Sequence, residues 1–225
     1  MAIRQRAIGA EDKEERQQAL LDAAERLLLR SPERMPSVAE VADEASLAKG
    51  TVYLYFPSKE ELLLALHERN VGGFFRALIA LLDDEAEVDV EKVLALTHVH
   101  MVDPPLFLPL AARCFGLMAQ SIPDAAAIAF KQRMATRLEQ AGAGLEQHFP
   151  LLAPGEGLVL LRHSYALILG LWQMAGAHGA CPGTPTGAEP AILQFNYPDD
   201  LDRALRALWR GVVGGPAVPV HGSKS

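Results

Sequence analysis

Apolar residues recur every third or fourth position along most of this 225-residue chain. That spacing stacks them on one face of a helix, whereas a half-buried strand would alternate them. The most sharply drawn instance is Val38, Val41, Ala42 and Ala45, opened by Ser37 behind Pro36, which predicts a short helix over 37–45 with Ser37 as its N-cap. Ser46 and Leu47 interrupt the pattern. A second short helix follows from Ala48 to Tyr55, turning Val52 and Phe56 inward and Lys49, Thr51, Tyr53 and Leu54 outward. Leu20, Ala24, Leu27 and Leu28 mark a first helix ahead of this pair, and Ser58 caps a long fourth one over 58–82. Further helices are predicted at 90–102, 106–121, 124–148, 156–178 and 198–213, set apart by Pro104, Pro105, Pro123, Pro150 and Pro154. No alternating run of useful length interrupts them, so the expected fold class is all-α. Residues 176–196, rich in Gly and Pro, read as a loop.

Two short helices around a tight turn, the second with lysine, hydroxyls and small residues on its free face, meet the demands of a helix-turn-helix. The second helix must enter a DNA major groove with short side chains at its N-terminal end and phosphate donors on its flanks. The run AKGTVYLYFPSKEELL resembles the DNA-binding segment of the tetracycline-repressor (TetR) family, whose pattern here is roughly Ser-Lys-Gly-Thr-Leu-Tyr-x-x-Phe followed by Lys on the next helix. The resemblance implies an N-terminal arm and helix-turn-helix domain over 1–58, a helical effector-binding and dimerisation domain over 59–215, a tail over 216–225, and about nine helices. It also implies roles for single residues. Lys49, Gly50 and Thr51 fall at the groove, Tyr53 and Tyr55 toward phosphates, and Lys59 on the DNA backbone, with Ser37 in the same DNA-binding set. Leu54 occupies the variable groove-facing position, where an apolar side chain can touch a thymine methyl but cannot read a hydrogen-bonding edge. The chain departs from the pattern twice: Ser46 stands where the family usually has Gly in the turn, and Ala48 where it usually has a capping Ser. Loss of a capping hydroxyl costs about 1 kcal/mol of helix stability and one phosphate contact.

Charge changes this picture. The formal net charge is −7, and residues 1–70 carry ten Lys and Arg against thirteen Asp and Glu, a net of −3. DNA affinity must then come from local geometry, with the acidic remainder repelling DNA elsewhere and sharpening orientation. Arg4, Arg6 and Lys13 are expected in an arm ahead of the first helix, able to reach the minor groove or backbone. No secretory signal pattern opens the chain, and two cysteines, Cys114 and Cys181, are too few for a disulfide framework and fit a reducing cytoplasm. Leu158–Ala177 holds a single full charge, Arg162, which alone costs about 2.5–3.5 kcal/mol at a bilayer centre. A core helix, with no membrane partner, is the expectation.

The last helix carries one apolar stripe, Leu201, Leu205, Leu208, Trp209 and Val212, with Asp199, Asp200 and Asp202 at its start and Arg203, Arg206 and Arg210 toward its end, as its dipole favours. With Tyr165, Leu169 and Trp172 on the preceding helix it offers more apolar surface than one domain needs. A two-fold four-helix interface through Tyr165, Leu169, Leu201, Leu205, Leu208 and Trp209 is therefore expected, and the resemblance implies the same homodimer on a palindromic double-stranded operator. Met101, Phe107, Cys114, Met118, Phe130, Met134 and Trp172 are candidates for the wall of a largely apolar effector pocket, although Met and aromatic residues at this spacing also build ordinary cores. His98 and His100 diverge on a helix and cannot share a metal, and His178 with Cys181 is too small a set for zinc, so no metal or cofactor is expected. No phosphate loop, nucleophile elbow or HExxH motif is present, which argues against an enzyme. The residues thus point to a cytoplasmic, ligand-released transcriptional repressor. A helical small-molecule carrier or interaction module that has lost DNA binding, and a thiol sensor using Cys181, are the competing readings.

Overall fold

The computed structural model describes residues 2–32, 34–120, 122–179 and 196–214, all of them in helices or in the turns between helices. Nine α-helices occur among the described residues: α1 (Ala2–Arg30), α2 (Val38–Glu44), α3 (Lys49–Tyr55), α4 (Lys59–Asp84), α5 (Val90–Thr97), α6 (Phe107–Gln120), α7 (Asp124–His148), α8 (Glu156–Gly179) and α9 (Tyr197–Val213). They fall into two compact units, Met1–Gly73 with Asp103–Lys131 and Phe74–Val102 with Gln132–Ser225. Both α4 and α7 therefore contribute a segment to each unit.

In the first unit Leu20, Leu21, Ala24 and Leu28 of α1, Val41 and Ala42 of α2, Val52 of α3, and Leu62, Leu63 and Leu66 of α4 are all buried, and α2 packs against both α1 and α3. Arg69 of α4 reaches back to α1, donating to Asp22 at 2.5 Å and Glu25 at 2.6 Å. Arg26 and Arg30 of α1 pair with Glu44 of α2. In the same unit His67 is 3% exposed, with the rings of Phe107 and Phe130 at centroid distances of 5.7 and 6.3 Å. Burial pushes its imidazole down to about 4, so the ring is neutral at physiological pH. Cys114 donates its thiol to the Leu63 carbonyl, and burial raises that thiol to about 12, the behaviour of an inert core cysteine.

The second unit is organised by α8 and α9. Trp209 is 1% exposed; its indole Nε1 donates to Ser164 Oγ at 3.0 Å and its ring meets Phe149 edge-on. Arg206 of α9 pairs with Asp202 at 2.8 Å and with Glu91 of α5. Where α7 meets α8 the backbones touch: a Cβ on Gly142 would lie 2.6 Å from Leu158 N, and one on Gly157 would lie 2.3 Å from Gly142 O. Glu146 of α7 accepts the Gly155 and Gly157 N–H groups at 2.8 and 3.0 Å, and so caps the start of α8.

Two expectations are corrected. Arg4, Arg6 and Lys13, expected in an arm ahead of the first helix, lie within α1, which runs from Ala2 to Arg30. The Ala, Glu, Gln, Lys and Arg of residues 2–19 lack an apolar stripe yet have high intrinsic helix propensity, and propensity prevails. The helix expected over 90–102 is α-helical only to Thr97, and His98–Val102 forms one π turn. Wider turns of this kind insert an extra residue that periodicity does not register. Cys181, the segment 180–195 and the tail 216–225 lie outside the described residues.

Candidate nucleic-acid interface

The corner formed by α2 and α3 is fixed at both ends of α2. At its start Ser37 Oγ accepts the Glu40 N–H at 3.2 Å and the Glu40 carboxylate accepts the Ser37 N–H at 2.8 Å, a reciprocal capping box. Arg34 grips the same carboxylate with both guanidinium nitrogens, at 3.0 and 2.7 Å, and Glu40 is held down to about 2. At its end the Leu47 N–H donates to the Ala42 carbonyl and the Ser46 N–H to the Asp43 carbonyl. These two bonds define a Schellman motif, which requires a left-handed residue at its hinge. Ser46 supplies it with φ of 55°, the single non-glycine residue of positive φ among the described residues. The geometry that glycine usually serves is therefore kept without glycine.

Beyond this hinge α3 begins at Lys49. Its N-cap Ala48 makes no side-chain cap, so the first turn of α3 keeps its N–H groups unmasked by a hydroxyl. Val52 is 0% exposed and Phe56 3% exposed, which seats the helix on the core. Lys49, Gly50, Tyr53 and Leu54 are exposed, while Thr51 and Tyr55 are half-buried. At 100° per residue the four exposed positions span an arc of about 140° on one side of the helix. Leu54 is 80% exposed, the most of any large hydrophobic side chain described, and a Cβ on Gly50 would meet nothing within 4 Å. Lys59 is exposed at the first position of α4, beside Glu60 at 3.8 Å, and Ser58 Oγ caps that helix by accepting the Glu61 N–H at 3.1 Å. Of the sequence-predicted set, Ser37, Lys49, Gly50, Tyr53, Leu54 and Lys59 are exposed and Thr51 and Tyr55 half-buried, with Ser37 also serving as the N-cap of α2.

The other candidate residues separate. Phe107, Cys114, Met118 and Phe130 belong to the first unit, and Met101, Met134 and Trp172 to the second. Phe107, Cys114, Phe130 and Met101 are buried, and Met118, Met134 and Trp172 are half-buried. A surface cavity of about 420 Å³ is lined by Ala86, Glu87, Val88, Asp89, Lys92, Gln147 and His148, and none of the seven lines it. Of the six interface candidates, Leu201, Leu205 and Trp209 are at most 1% exposed and Leu169 is 8% exposed, all four packed within the chain's own fold. Tyr165 and Leu208 are half-buried, and Ala166, Met174, Ala207 and Gly211 are exposed on the outer faces of α8 and α9. Sequence reasoning missed the carboxylate clamps on the corner, Glu40 and Glu44. The Ser-x-x-Glu spacing of Ser37 and Glu40 carried a legible signal for the first of them.

Comparison with known proteins agrees with this geometry. Residues 20–66 match the model for bacterial regulatory proteins of the tetR family, and residues 68–215 the model for the tetracyclin repressor-like C-terminal domain. The chain is 39% identical over 80 residues to the HTH-type transcriptional regulator EthR of Mycobacterium tuberculosis, a match covering 36% of this chain and 37% of EthR. It is 32% identical over 59 residues to the fatty acid metabolism regulator protein of Bacillus subtilis, covering 26% of this chain and 30% of that one. The chain thus spans about a third of the length of these relatives. Its fold is similar to that of SmeT, the repressor of the Stenotrophomonas maltophilia multidrug efflux pump SmeDEF, at a TM-score of 0.54 and 22% identity over 92% of this chain and 94% of SmeT. It is likewise similar to reduced NemR of E. coli, at a TM-score of 0.54 and 22% identity over 90% of this chain and 100% of NemR. With a capped corner that turns one face of α3 outward, a family match that spans that corner and a second that covers the helices after it, together most of the sequence, the chain belongs to the TetR family of bacterial transcriptional regulators.

Proposed function

We propose that this protein is a cytoplasmic transcriptional repressor that binds a palindromic operator as a homodimer and is released by a largely apolar small molecule. The observation that carries the DNA-binding part is the exposed arc of α3, where Lys49, Gly50, Tyr53 and Leu54 stand together on a hinge locked by the Ser46 Schellman motif. Gly50 lets the helix backbone approach base edges, Lys49 and Lys59 supply cations for phosphates, and the Tyr53 hydroxyl supplies a phosphate donor.

A second copy would pack on the outer faces of α8 and α9. Ala166, Ala207 and Gly211 there are small and exposed, so partner helices can approach closely, with Tyr165, Met174 and Leu208 filling the margins. Two-fold pairing sets the readers on half-sites about one helical turn, roughly 34–36 Å, apart. Release follows from differential affinity: an effector lowers operator occupancy only to the extent that it binds the DNA-incompetent state better, a coupling of about 1–3 kcal/mol in systems of this kind.

The test is a mobility-shift titration against palindromes upstream of the protein's own gene, with Lys49→Ala combined with Tyr53→Phe as the comparison. Binding by the parent and a loss of at least about tenfold in the double variant are expected, the size of two lost phosphate contacts at roughly 1 kcal/mol each. Equal binding by the two proteins, or none by the parent at low salt, overturns the reading.

A further inference from the structure

We propose that Leu54 is a specificity-determining residue of α3, and that each operator half-site presents a thymine C5-methyl group to it in the major groove. This rests on the DNA-binding reading above and adds to it the chemistry of the base that is read. Leu54 is 80% exposed on a helix whose other apolar residue, Val52, is fully buried. Its position one turn beyond Gly50, on the same side of the helix, places it where the approach is least obstructed: at Gly50 no side chain stands between the helix backbone and a ligand.

The side chain has no donor or acceptor, so it gains nothing from the O6, N7, N4 or N6 groups that distinguish the other base edges. Leucine lowered onto such an edge would strip water from a polar atom and return no hydrogen bond, which is unfavourable. The thymine methyl is the one apolar group that the four ordinary base pairs offer in that groove. On the exposed arc Lys49 and Tyr53 lie on the far side of Gly50 from Leu54, about 140° and 100° away from it, with polar atoms suited to a sugar-phosphate strand, and Leu54 is the one exposed position of α3 with an aliphatic side chain.

The experiment selects operators from a random duplex library with the full-length protein, then replaces each dT in the selected site by dU, one position at a time. The exchange deletes one methyl and leaves every hydrogen-bonding group in place. One position per half-site is expected to lose about fourfold in affinity on exchange, the worth of one methyl removed from water. In Leu54→Ala that position becomes indifferent to dU, whereas the same variant melts like the parent because the side chain is solvent-exposed in the fold. Selected sites bound tightly with no dU-sensitive position, or with one that persists unchanged in Leu54→Ala, overturn this inference and leave the regulator reading intact. Failure to enrich any sequence overturns both.

Discussion

Ser37 and Glu40 close each other's open valences: the N–H of each donates to the side chain of the other, at 2.8 and 3.2 Å, and α2 begins between them. The Arg34 guanidinium and these bonds hold the Glu40 carboxylate at about 2, below its ordinary 4.5. A carboxylate depressed on folding stabilises the fold fully above its unfolded value and loses that contribution as pH falls toward the folded one. Melting temperature is therefore expected to drop between about pH 4.5 and pH 2. In Glu40→Gln the drop over that window should be visibly shallower, with lower stability at pH 7; unchanged curves in a pH series of thermal melts would refute the assignment.

Ser46→Gly tests the hinge. A non-glycine residue in the left-handed region costs roughly 1–2 kcal/mol, offset by the greater freedom glycine has when unfolded. A net gain of about 0.5–1 kcal/mol in urea titrations is expected, and Ser46→Val, β-branched at the same φ of 55°, should lose stability.

Ser164→Ala removes the acceptor for Trp209 Nε1, a buried donor with its bond at 3.0 Å. An orphaned buried N–H costs about 1–3 kcal/mol, so equilibrium unfolding should fall by that amount. Trp209 fluorescence will report the same change directly.

Glycine substitutions should have opposite signs in the two units. Gly157→Ala must push a Cβ to within 2.3 Å of the Gly142 carbonyl oxygen, and a loss of several kcal/mol or failure to fold is expected. Gly50→Ala meets nothing within 4 Å and should stabilise α3 by about 0.5–1 kcal/mol, yet weaken operator binding by holding the helix off the groove. A Gly50→Ala protein that binds DNA as well as the parent would remove the close-approach role.

The reader was legible in the sequence because each signal was local. Val38, Val41 and Ala42 sit on one helical face, Ser37 and Glu40 have capping spacing, and the outward set follows from the same periodicity once Val52 is turned inward. What periodicity cannot convey is which surface covers a stripe. Leu201, Leu205 and Trp209 form a correct stripe on α9, but their own chain covers them, and Ser164, an unremarkable serine in an apolar helix, turns out to be the partner that admits Trp209. Phe107, Cys114 and Phe130 read as one group with Met101 and Trp172 by composition, whereas their packing places them in the unit that also holds the corner. The length of α1 was missed for the converse reason: propensity without amphipathicity leaves no stripe to read.

Arg26, Arg30, Arg34 and Arg69 are each clasped by carboxylates of the same unit. A guanidinium already matched in this way has shed part of its positive field before any phosphate arrives, and must break a bond to accept one. On the proposed DNA-binding reading docking should expel few condensed ions from the duplex: with contacts confined to Lys49 and Lys59 of each of two readers, log affinity against log ionic strength is expected to slope at about −4. A protein with so shallow a slope is expected to hold random sequence weakly and lose little time there, its occupancy at a true site resting on fit rather than on bulk attraction.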